Sequence, residues 1–96
     1  MSNFRIFETD EFKKKLDKLS AKNQKLITSK LKDYVYPQLK ENPFWGTNVK
    51  KLKEYDPDTW RYRMGKYRIF YTIGKEDDII YILTIEARKD AYKKKG

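Results

Sequence analysis

The chain has 96 residues, with 23 Lys plus Arg against 14 Asp plus Glu, and it contains neither Cys nor His. This length implies one domain spanning residues 1–96. The absent residue types exclude thiol nucleophiles, disulfides, Cys/His zinc sites and Ser-His-Asp triads. A formal net charge of +9 points to a polyanionic partner, either nucleic acid or an acidic protein.

Charged residues make up 39% of the chain, which by itself would suggest disorder, but aromatics make up 16%, and disordered segments are poor in them. A small folded domain with a core rich in Tyr, Phe and Trp is expected. The positive charge is not confined to a tail. Residues 1–48 carry 10 basic and 6 acidic groups, and residues 49–96 carry 13 and 8. No segment approaches the ~18 apolar residues of a membrane span, and Met1-Ser2-Asn3-Phe4-Arg5 lacks a signal-peptide apolar core. No membrane association is therefore expected, with the cytoplasm as the default location.

In chain order, Phe4-Arg5-Ile6-Phe7-Glu8 reads as a short strand. Thr9 is placed to cap a helix whose first turn holds Asp10 and Glu11, and Phe12, Leu16 and Leu19 follow at helical spacing. Ser20 caps a second helix with an apolar stripe of Ile27, Leu31, Tyr34 and Val35. Pro37 disfavours helical geometry at Tyr36, so this helix is expected to end or kink there. Two antiparallel helices result. Residues 40–59 show no clear period and read as a long loop containing the basic cluster Lys50-Lys51-Leu52-Lys53. Trp60 to Met64 alternates strictly, Gly65-Lys66 fits a two-residue type II′ turn, and Tyr67–Ile73 is the second strand of a hairpin. A polar turn, Gly74 to Asp78, leads to a third strand from Ile79 to about Ala87, and Arg88–Tyr92 can begin a last helical turn.

Arginine is used sparingly. Of 5 Arg among 23 basic residues, Arg61, Arg63, Arg68 and Arg88 all lie in the C-terminal strands. A two-residue turn at Gly65-Lys66 sets Arg63 opposite Arg68 and Arg61 opposite Phe70. One face then carries Trp60, Tyr62, Met64, Tyr67, Ile69 and Tyr71, and the other carries Arg61, Arg63, Arg68 and Phe70. Like charges directly opposite on a sheet are unfavourable. Two readings fit this face equally: a solvated strand surface charged against aggregation, or a site for a phosphodiester. Tyr92 fits packing on the sheet, and Glu86, which shares strand parity with Arg88, fits either an ion pair or a proton acceptor. Glu76-Asp77-Asp78 reads as a solvated turn.

These features together resemble the RelE/ParE superfamily of toxins from toxin-antitoxin systems. The resemblance rests on Trp60-Arg61-Tyr62-Arg63-Met64-Gly65-Lys66-Tyr67-Arg68-Ile69-Phe70-Tyr71, on Ile85-Glu86-Ala87-Arg88-Lys89-Asp90-Ala91-Tyr92, and on the lead-in Asn48-Val49-Lys50-Lys51-Leu52-Lys53. It implies an α+β fold in which an N-terminal strand and two antiparallel helices pack on an antiparallel sheet, the RelE-like microbial-ribonuclease type. It also implies one of two activities. RelE-like members cut mRNA, typically on the ribosome, without a metal or cofactor. ParE-like members inhibit DNA gyrase by binding it. A noncatalytic RNA-binding module is a third reading.

The RelE-like catalytic positions correspond here to Arg61, Arg63, Arg68, Arg88 and Tyr92, all of suitable type, which favours the mRNA-cleaving branch. Lys50, Lys51, Lys53, Lys66 and Phe70 are the expected RNA contacts. Many relatives carry His just before the last-strand Arg. This chain has Ala87, which leaves Glu86 as the candidate base. The resemblance further implies mRNA and the ribosome as partners, together with a cognate antitoxin that is small and acidic.

Overall fold

The computed structural model describes residues 4–87. In chain order these form β1 (Arg5–Glu8), α1 (Asp10–Asp17), α2 (Ala21–Lys30), a π turn (Leu31–Val35), α3 (Tyr36–Glu41), β2 (Val49–Lys51), β3 (Trp60–Met64), β4 (Tyr67–Ile73) and β5 (Ile79–Ala87). The strands form one sheet in the order β1-β5-β4-β3-β2. The β2–β3, β3–β4 and β4–β5 pairs are antiparallel. β1 lies parallel to β5, with Arg5 opposite Ile79 and Glu8 opposite Ile82. The α+β expectation holds, but the sheet is mixed. A parallel pair needs a long crossover, and here everything from α1 to β4 supplies it.

Both expected caps form. The Thr9 hydroxyl accepts from Phe12 N–H at 3.3 Å and lies 2.7 Å from the Ile82 carbonyl, to which it donates. One side chain thus starts α1 and ties it to β5. Ser20 accepts from Asn23 N–H at 3.2 Å. Past the end of β1, α1 runs beside β5, and Lys15 reaches Glu86 at 3.9 Å.

Of the two outcomes expected at Pro37, an end or a kink, the helix does not end there: an irregular π turn precedes the proline and the helix continues. Tyr36 keeps helical dihedrals (φ −64°, ψ −43°), and its N–H bonds five residues back to Leu31, inside the widened turn. In a regular helix the proline ring would strike the carbonyl four residues earlier and leave it without a donor. Widening the turn just before Pro37 lets the helix continue to Glu41. The same turn removes Tyr34 from the predicted stripe. Ile27, Leu31 and Val35 are buried, whereas Tyr34 is 70% exposed.

Strand alternation closes the core. Phe12, Ile27, Leu31, Val35 and Leu39 from the helices pack on Trp60, Tyr62, Met64, Tyr67, Ile69 and Tyr71 from the hairpin and on Ile80, Ile82 and Ile85 from β5. Two tyrosines satisfy their hydroxyls across the layers. Tyr62 donates to Gln38 Oε1 and Tyr71 to the Pro43 carbonyl, each at 2.7 Å. The stretch 40–59 is less irregular than expected, because Val49–Lys51 forms the edge strand β2, with Lys50 opposite Arg61. Three residues, two of them lysines, are too short a run to show a period, and only the pairing with β3 defines the strand. Among the described residues, no helix is long and apolar enough to cross a membrane.

Candidate nucleic-acid interface

The hairpin register is the one the sequence implies: Trp60 opposite Tyr71, Arg61 opposite Phe70, Tyr62 opposite Ile69, Arg63 opposite Arg68 and Met64 opposite Tyr67. Gly65 takes φ +63°, while Lys66 is absent from the positive-φ residues, which is the type II′ pattern. Glycine enters this conformation without a Cβ penalty. The turn therefore fixes which face the arginines occupy.

The neighbouring strands extend that face into two rows. One reads Lys50, Arg61, Phe70, Thr84; the other reads Arg63, Arg68, Glu86. Adjacent strands lie ~4.8 Å apart, so the bases of these side chains are close neighbours. A register shift after Phe70 pairs Tyr71 with Ile82 and Phe70 with Thr84. The extra residue, Leu83, keeps Ile82 in the core while Thr84 stays on the arginine face.

The electrostatics are one-sided. Burial, then the guanidiniums of Arg63 and Arg68, push the Arg61 pKa below the ordinary arginine value. Among the described residues, Arg61 Nε and Thr84 Oγ1 are the buried side-chain polar atoms without a hydrogen-bond partner. Both lie on the same row, on either side of Phe70. An enclosed unpaired donor costs about 1–3 kcal/mol, so this row of the sheet face carries a cost in stability. The acid on the second row, Glu86, is engaged from α1 by Lys15, which is also 3.6 Å from Glu11.

Of the remaining residues expected at the site, Lys50 is brought onto the arginine face and Phe70 lies at its centre. Lys66 is exposed at the turn and Lys53 is exposed in the loop after β2. Lys51 points elsewhere. Its Nζ sits 5.9 Å over the Trp60 ring and 3.4 Å from Asp58, on the opposite side of the sheet. Lys50 and Lys51 are therefore not equivalent loop lysines, as the sequence reading had them, because strand pairing separates them. Arg88 and Tyr92 lie outside the described residues. Ala87, just before Arg88, pairs with Tyr67 beside Arg68.

The sequence reading missed Thr84 and Lys15. Strand parity with Glu86 could have flagged Thr84. Lys15 gave no signal, because its role depends on α1 lying against β5.

Arginines gathered on one sheet face can bind and polarise a phosphodiester. The likeness to known proteins is consistent with this arrangement. The chain matches the sequence model for the ParE toxin of type II toxin-antitoxin system, parDE, over residues 6–92. No curated protein matches it. Among solved structures, it resembles an archaeal RelE-RelB complex from Pyrococcus horikoshii, with a TM-score of 0.66 and 24% identity over 90% of this chain and 96% of that one. It also resembles the toxin-antitoxin complex RelBE2 from Mycobacterium tuberculosis, with a TM-score of 0.68 and 22% identity over 90% and 99%. A YoeB/ParE toxin from Agrobacterium tumefaciens gives a TM-score of 0.66 at 15% identity over 88% and 98%. At these identities the structural likeness is one of fold, whereas the sequence match spans most of the chain. The chain belongs to the ParE toxin family of type II toxin-antitoxin systems, within the RelE/ParE superfamily.

Proposed function

We propose that this toxin is a metal-independent endoribonuclease that cleaves mRNA on the ribosome and so arrests translation. The observation that carries this reading is the pair of rows on the outer sheet face. Arg61, Arg63 and Arg68 sit in adjacent register, and the Arg61 Nε there is enclosed without a partner. A protein that acted only by docking on another protein would not require three mutually repelling guanidiniums at one place.

In the proposed reaction the 2′-oxygen attacks the adjacent phosphorus, the P–O5′ bond breaks, and the products are a 2′,3′-cyclic phosphate and a 5′-hydroxyl. Arg68, with Arg88 beyond the end of β5, holds the phosphate and offsets the charge that develops on it. Arg61, whose pKa is lowered by burial and by the guanidiniums of Arg63 and Arg68, donates the proton to the leaving 5′-oxygen. Arg63 orients the phosphate. Glu86, across the sheet from Arg68, is the carboxylate placed to accept the 2′-proton once Lys15 releases it. Tyr92 stacks on a base or assists the proton transfer. The ribosome presents the substrate strand to the site in reactive geometry.

A cognate antitoxin completes the module. Several structural neighbours are complexes of RelE with RelB, and a +9 chain attracts a small acidic partner over long range. The test is to map RNA ends after brief induction. Cuts within translated mRNA, abolished by Arg68→Ala, support the proposal. The family match keeps a gyrase-directed toxin in view; double-strand DNA breaks with intact mRNA would establish that reading instead.

A further inference from the structure

A second feature lies around the edge of the sheet from the arginine face. A shallow cleft opens beside the hairpin turn, lined by Lys30, Tyr34, Asn48, Arg63, Met64 and Gly65 among others. Among the described residues its charged lining is Lys30 and Arg63, without a carboxylate. The nearby Asp33 is turned towards Ser29, whose Oγ is 3.4 Å from Asp33 Oδ2. The aromatic wall is Tyr34, at 70% exposure the most open tyrosine among the exposed large hydrophobics. Tyr34 is there because of the π turn. Ile27, Leu31 and Val35 keep the buried stripe, and the widened turn rotates Tyr34 out of it. Such turns are frequent at functional sites, and this one leaves a large ring in water without a packing role.

We infer that this cleft is a nucleotide-binding subsite. In it, the RNA strand running off the arginine face passes the hairpin end beside Arg63, stacks one base on Tyr34 and places the adjoining phosphate on Lys30. The inference rests on the ribonuclease reading above and extends it to how the flanking strand is gripped. Single-strand sites pair a basic track with an exposed aromatic on which a base stacks, and here both stand in one concavity that shares Arg63 with the arginine face. The described lining pairs two cations with an aromatic ring, which favours a phosphate-bearing strand over a peptide, since a peptide would need partners for both charge signs.

The test uses purified toxin and a fluorescent single-stranded RNA whose riboses are 2′-O-methylated, so that it cannot be cut. Binding is followed by anisotropy across a salt series. Tyr34→Ala is expected to weaken binding about ten-fold or more, while Tyr34→Phe stays close to wild type. Lys30→Ala should lower the slope of log affinity against log salt by about 0.7. Both side chains are exposed, and circular dichroism checks that the variants fold. Unchanged affinity in Tyr34→Ala, a loss that Phe does not restore, absence of binding by wild type, or an effect confined to binding of a purified antitoxin would each overturn the inference. Failure of the underlying reading is recognised separately. Tyr34-dependent binding by a protein that never cuts mRNA keeps the cleft and removes the nuclease, whereas cutting with Tyr34-independent binding keeps the nuclease and removes the cleft.

Discussion

Arg63 stands directly across the hairpin from Arg68, two guanidinium-bearing positions in one register on the sheet face opposite the aromatic core. Like charges placed this way oppose folding by a fraction of a kcal/mol to about 1 kcal/mol. The site therefore costs stability, and relieving the repulsion should show it. Arg63→Thr, which also has good strand propensity, is expected to raise the melting temperature by about 2–4 °C at low ionic strength, taking ~0.5 kcal/mol in a domain of this size. The gain should shrink as salt screens the pair. Thermal unfolding by circular dichroism measures it, with cleavage assayed in parallel. A stabilised variant with impaired cleavage is expected; a melting temperature equal to or below wild type would show that the pair is not strained.

Thr9 couples two layers through one hydroxyl, since it caps α1 at Phe12 and donates to the carbonyl of Ile82 in β5. Thr9→Ala removes both interactions and should cost about 1–2 kcal/mol, while Thr9→Ser keeps most of the stability. Urea unfolding should show a lower midpoint with an unchanged slope. Equal midpoints for the Ala and Ser variants would mean that the hydroxyl contributes nothing.

Tyr36 and Tyr71 make the fold sensitive to alkali. Burial, and for Tyr36 the hydrogen bond to Glu8 at 2.6 Å, push both phenols well above the ordinary tyrosine value. A folded pKa above the unfolded one gives stability that is complete below about pH 10, where the unfolded tyrosines ionise, and that falls as pH rises towards the folded values. Unfolding free energy should thus decline above pH 10. Tyr36→Phe should be less stable at pH 7 and show a shallower alkaline decline. If wild type and Tyr36→Phe lose stability in parallel above pH 10, Tyr36 does not hold its proton in the fold.

Local chemistry made much of this molecule legible in the sequence. Thr9 and Ser20 identify their helices because a cap needs only the residue and its next turn. The arginine face follows from Gly65 and strict alternation, because a two-residue turn leaves one register for the whole hairpin. What escaped depends on distant partners. β1 lies parallel to β5 through contacts more than 70 residues apart. β2 is defined by β3 alone, and with it the separation of Lys50 from Lys51 on opposite sides. The π turn is the subtler case. Pro37 signals a break by every local rule, and the helix absorbs it by widening one turn earlier, which also moves Tyr34 from core to surface.

Arg61 is distinguished from its neighbours by an enclosed Nε and a lowered pKa, and in the proposed reaction it is the group that protonates the leaving oxygen. General-acid catalysis of this kind contributes about 10²–10⁴-fold, so Arg61→Ala should cut ribosome-bound mRNA slower by that factor. The step it serves can be bypassed. A substrate with sulfur in place of the 5′-bridging oxygen leaves as a thiolate and needs no proton. Single-turnover cleavage of that substrate should be nearly equal for wild type and Arg61→Ala, whereas Arg68→Ala should remain impaired on both substrates because it acts on the phosphate. An Arg61→Ala defect of the same size on the sulfur substrate would assign Arg61 to phosphate binding alongside Arg68 and leave the proton to another donor.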